Sequence, residues 1–119
     1  MKVKTALFLF FILFLVSFCS DPLSSTGNPQ WVDDLIAEFK SQPVGNPPQS
    51  IWRYSYKDRV VYYVPPQCCD QFSTLYDSKG NVICAPDGGF SGRGNGKCTD
   101  FFRTCNNEKL IWKDNRERL

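Results

Sequence analysis

The chain's 119 residues, 42% of them hydrophobic, suffice for one small core, and six cysteines point to covalent staples that supplement it. The formal charge of +2 comes from Lys2 and Lys4 at the extreme N-terminus, beyond which twelve basic residues face twelve acidic ones. That balance, without a basic block, excludes nucleic acid as the expected partner. The complete lack of histidine removes the commonest general base and the commonest metal ligand.

Residues 1–19 have the layout of an export signal: Lys2 and Lys4, then an uncharged apolar run from Ala6 to Phe18. The run is shorter than the ~20 residues of a membrane span, and no basic stop-transfer flank follows it. Val16, Ser17, Phe18 and Cys19 resemble a bacterial lipobox, which implies lipidation of Cys19 as the new N-terminus. Phe18 departs from that pattern, which wants a small residue before the cysteine. Ordinary signal-peptidase cleavage, with Ser17 and Cys19 as the small residues, is the alternative. Residues 20–28, rich in Ser, Thr, Gly and Pro, are expected to form a solvated tether.

From there the elements follow in order. Asn28 and Pro29 suit an N-cap and first helical position. Trp31, Val32, Leu35, Ile36 and Phe39 recur at helical spacing, predicting an amphipathic helix to about Gln42, stopped by Pro43, Gly45, Pro47 and Pro48. Ile51 to Tyr56 and Val60 to Val64 predict a hairpin around Lys57-Asp58-Arg59. Ser73 to Tyr76 and Asn81 to Cys84 predict a second, with Gly80 in the left-handed position of its turn. Leu110 to Trp112 reads as a last short strand and 115–119 as a charged tail. The fold class is therefore α+β: a small antiparallel sheet of two hairpins plus a short C-terminal strand, the N-terminal helix packed on it, stapled by disulfides over a single globular domain at 29–114.

With Cys19 lipidated or removed, five cysteines remain, which suits two disulfides and one free thiol. Cys68 and Cys69 are adjacent, and consecutive side chains in an extended segment point opposite ways. They are therefore expected to bond different partners, most simply Cys84 and Cys98, in an order that spacing does not give. Cys105, in a polar stretch, is the candidate free thiol. A four-cysteine zinc site is disfavoured without a CxxC pair.

Three stretches carry functional readings. The glycine-rich segment Asp87 to Asp100 offers hard oxygens from Asp87, Asn95 and Asp100 for calcium, though it lacks EF-hand spacing. A phosphate loop fails there, because Ser91 and Cys98 stand where glycine and Ser or Thr are required. In the first hairpin, Trp52, Tyr54, Tyr62 and Tyr63 form an aromatic candidate surface. Tyr62 and Tyr63 are neighbours and point to opposite faces, so one is expected to look outward, where it would stack on a sugar or anchor a protein. Carboxylates remain the available catalytic groups: Asp70, Asp77, Asp87 and Asp100. Asp77 is better explained by its turn, and Asp33-Asp34 by the solvated face of the helix. The expectation is a domain that is not an enzyme and has no cofactor.

Several motifs carry a resemblance: Pro29-Gln30-Trp31-Val32, Pro43-Val44-Gly45-Asn46-Pro47-Pro48, Ile51-Trp52-Arg53-Tyr54, Val61-Tyr62-Tyr63-Val64-Pro65, Cys68-Cys69-Asp70, Leu75-Tyr76-Asp77, Gly80 to Gly89, Gly92 to Cys98, and Asp100-Phe101. Together they resemble a small family of uncharacterised exported bacterial domains, many of them lipoproteins. Two departures are Asn95, where the family is expected to have Asp, and Cys105, which is extra. The resemblance implies location and domain extent and assigns no activity, cofactor or catalytic residue. The functional expectation is an exported, non-catalytic binding domain at the cell envelope, membrane-anchored or secreted, whose partner is a protein or a cell-surface glycan. The alternatives are a calcium-stabilised structural module and a carboxylate-based hydrolase.

Overall fold

The computed structural model describes residues 27–118, so the expected export signal, Cys19 and most of the expected tether lie outside the described residues. One helix, α1 (Gln30–Lys40), precedes four strands: β1 (Ser50–Tyr56), β2 (Arg59–Val64), β3 (Thr74–Asp77) and β4 (Val82–Cys84). A four-residue helix, α2 (Phe101–Thr104), leads into β5 (Asn106–Lys113). The strands form one antiparallel sheet in the order β4-β3-β2-β1-β5, so β5 returns past three strands to lie beside β1. The last strand is thus eight residues long, not three. Its polar first half, Asn106 to Lys109, pairs through the backbone while its side chains stay exposed, so no alternation announces it.

Alternation along β1 and β2 distributes the core to two faces. Ile51, Tyr62 and Val64 face α1, where Val32 is fully buried and Trp31, Leu35, Ile36 and Phe39 pack around them. Trp52, Tyr54, Tyr56, Val61 and Tyr63 face the other way, against Leu75, Cys84, Cys98 and Phe101. The cover of this second face is the crossing segment between β4 and β5. Phe101, with 0% of its surface exposed, stands among Tyr54, Tyr56 and Tyr63 at ring-centroid distances of 5.3, 5.3 and 5.8 Å.

The start of α1 differs from expectation. Pro29 occupies the N-cap with no side-chain cap, and Asn28 instead donates to the Asp33 carboxylate at 3.4 Å. Trp31 fixes the helix to the second hairpin: its Nε1 donates to the Ser78 carbonyl at 2.9 Å, and its ring lies over Gly80. A Cβ at Gly80 would stand 2.8 Å from that ring, and the backbone there has φ of 86°, so both the turn and the helix contact require glycine. Asp77 completes the turn by accepting from the Lys79 and Asn81 amides at 2.9 Å each.

Candidate functional site

α1 presents Asp33, Ile36, Ala37 and Lys40 along one side, the i, i+3, i+4, i+7 series of a helix. That side overlooks β5, whose outer edge has no neighbouring strand among the described residues. Between them runs a groove of about 520 Å³, with Ile36, Leu110 and Trp112 among its apolar lining and Asp33, Lys40 and Lys109 among its polar lining. A second hollow shares Lys40 and Trp112 with it and continues to Lys113. A bulge shapes the lining: Ile51 pairs with Trp112 and Trp52 with Leu110, so Ile111 is an extra residue on β5. As a result Ile111 and Trp112 both pack toward α1, where Trp112 stacks on Phe39 at 6.0 Å.

The aromatic candidates lie elsewhere, and the expectation of an outward tyrosine is corrected. Tyr62 is 4% exposed, capped edge-on by Trp31 of α1 at 5.1 Å. Tyr63 is 7% exposed beneath Phe101 and Phe102. The two do point to opposite faces, but both faces are covered. Trp52 and Tyr54 are half-buried against the Phe101 cluster. Burial first, then the Glu108 carboxylate, pushes the Tyr54 hydroxyl up to about 12, so it stays protonated.

The calcium candidates are each turned to another task. Asp87 accepts from the Tyr63 hydroxyl at 2.9 Å, and Asp100 from the Tyr56 hydroxyl at 2.7 Å. The Asn95 side-chain oxygen accepts from the Ala85 and Lys97 amides at 3.2 Å each. Among the described residues no three His, Cys, Asp or Glu side chains are grouped to hold a metal ion. The glycines serve this hydrogen-bonded loop: at Gly94, with φ of 65°, a Cβ would run into the Ala85 carbonyl. Asp70, at a left-handed backbone position with φ of 64°, is exposed beside Cys69. The carboxylates named as catalytic candidates therefore sit in separate turns and pairings.

The cysteine pairing is also corrected. Cys84 bonds Cys98, inside the second-face core, and Cys68 bonds its neighbour Cys69. The expectation that Cys68 and Cys69 take different partners assumed an extended backbone, whereas residues 68–70 form a turn at the sheet's end. Cys105 is a free, half-buried thiol, and burial raises its pKa. Among the described residues no helix is long and apolar enough to cross a membrane.

Sequence reasoning missed the groove. Its two walls, α1 and β5, are far apart in the chain, and their adjacency follows from the return of β5 to β1. The helical series from Asp33 to Lys40 was its one local signal.

The model of one family, described as a domain of unknown function (DUF6970), matches residues 37–114. The match begins inside α1 and ends at Asp114, and so takes in the whole sheet, both described disulfides and the β5 edge. No curated protein and no solved structure matches the chain. Because the match covers more than half of its length, the chain belongs to this family of domains of unknown function.

Proposed function

We propose that this chain is a non-catalytic binding domain exported to the bacterial cell envelope, tethered through lipid on Cys19 or released after cleavage, and that its partner is a protein. The observation that carries the binding reading is the groove between α1 and β5, where half-buried apolar side chains meet a strand edge that is unpaired among the described residues. Two disulfides among the described residues support an oxidising compartment. The non-catalytic reading is supported by the engagement of Asp87 and Asp100 with tyrosine hydroxyls and by a sequence without histidine. A protein partner is favoured over a glycan because Tyr62 and Tyr63, the rings offered for sugar stacking, are covered.

A photo-crosslinking amino acid placed at Leu110, 44% exposed in the groove, tests the reading in host cells, with Val60, 43% exposed at the far hairpin, as the control position. A discrete adduct at 110 and none at 60 is the expected result. No adduct at either position would count against a binding role. The intact mass of the isolated protein separates an acylated chain beginning at Cys19 from an unmodified one.

A further inference from the structure

We infer that the groove receives an extended acidic and apolar segment of a partner protein, which adds to the free edge of β5 as a sixth strand. This rests on the binding-domain reading above and names the class of partner.

Three observations converge on it. First, among the described residues β5 is the longest strand and ends the sheet, so its outward N–H and C=O groups form a ready template for a further strand. The opposite edge, β4, is three residues long. Second, the groove places an apolar floor beside that edge, with Ile36 and Trp112 positioned to meet alternate side chains of an added strand. Third, the charge is one-sided. Lys40, Lys109 and Lys113 are exposed along the two hollows, and none has an ion-pair partner among the described residues. Of the acids there, Asp114 is taken by Arg116 and Asp33 accepts from Asn28, so the three lysines outnumber the carboxylates along the hollows. Glu38 faces the other flank of α1, near Tyr76, and Glu108 faces Tyr54 on the opposite side of the sheet.

The same lysines argue against a second copy as the occupant, because self-pairing would bring like charges together along the edge. An acidic strand instead meets three unpaired cations, which favours encounter and fixes orientation.

Binding of fluorescent octapeptides to the intact protein, read by polarisation, tests this. The first peptide alternates Glu with Val, the second alternates Lys with Val, and the third repeats the first with alternate backbone amides methylated. The expected result is that the acidic peptide binds at least ~10-fold more tightly than the basic one. Methylation abolishes its binding, and the pair Lys109→Glu and Lys113→Glu reverses the preference. Both lysines are exposed, so melting of that variant should match the parent; Lys40→Ala, expected to weaken the acidic peptide alone, is a second variant. Equal binding of the two peptides, or binding that survives methylation, would overturn strand addition. So would a concentration-dependent dimer that blocks the peptide, or uptake on phosphatidylglycerol vesicles in its place. An adduct at Leu110 with no peptide binding would sink this inference and leave the binding-domain reading standing. No adduct at any surface position would sink both.

Discussion

The Asp114 carboxylate grips the Arg116 guanidinium at two points, accepting from Nε at 2.9 Å and from Nη2 at 2.7 Å. Held in that way, Arg116 donates to the carbonyls of Phe39 and Lys40 at the end of α1 and of Gln42 just beyond it. The residues expected as a charged tail thus contain the helix's C-terminal cap. Arg116→Ala is expected to lower the melting temperature and to speed amide exchange in the last turn of α1 more than in β1. Asp114→Asn, which frees the guanidinium, should reproduce that pattern. Uniform exchange across the domain would argue against a cap.

Phe101 is the largest fully buried side chain among the described residues, and its ring is the point where the crossing segment meets the sheet. Phe101→Ala should destabilise the fold by about 3–5 kcal/mol. Phe102→Ala, at a ring 52% exposed, should cost far less. Chemical denaturation of the two variants compares them directly.

Stability should fall at both ends of the pH scale. Hydrogen bonds hold the carboxyls of Asp77, Asp100 and Asp114 below the ordinary value of 3.8, the leading causes being the Asn81 amide, the Tyr56 hydroxyl and Arg116 respectively. A depressed folded-state value means stabilisation that is present above pH 3.8 and is lost as the pH falls through the folded values. Tyr54 has the opposite sign. Raised to about 12, it stabilises fully below pH 10, and that contribution declines from pH 10 toward 12. Melting temperature across pH should show a plateau between these limits. In Tyr56→Phe the Asp100 titration, followed by NMR, should move up toward 3.8.

The two disulfides should differ in weight. Cys84–Cys98 closes a loop with a sequence separation of 14, so replacing both cysteines by serine is expected to cost about 3 kcal/mol. Cys68–Cys69 closes no intervening chain, and its double serine variant should melt close to the parent. Of the five cysteines from Cys68 onward, Cys105 alone should alkylate without reduction, and slowly, because it is half-buried with a raised pKa.

What could be read from the sequence was whatever repeats locally. The stripe from Trp31 to Phe39 and the alternation from Ile51 to Val64 each carry their own period, and α1, β1 and β2 stand where those periods put them. The exposure of Tyr62 and Tyr63 depended on what covers them. For Tyr63 that cover is Phe101, embedded in the aperiodic stretch Cys98 to Cys105. The groove was illegible for the same reason, since Ile36 and Leu110 come to line one groove only because β5 chooses β1 over β4 as its neighbour. The bond between Cys68 and Cys69 turned on a local bend that an extended-chain argument does not contain.

The return of β5 also sets an order of events. Ser50 at the start of β1 pairs with Lys113 at the end of β5, so the earliest strand receives its second neighbour from the latest. Until residues through Lys113 are in place, β1 is itself an edge and α1 lacks the Trp112 contact and the Arg116 cap. Such long-range closure is slow by nature, because the chain must be brought together across most of its described length before the pairing rewards it. A chain built in this way becomes a finished domain only when its last strand has closed on its first.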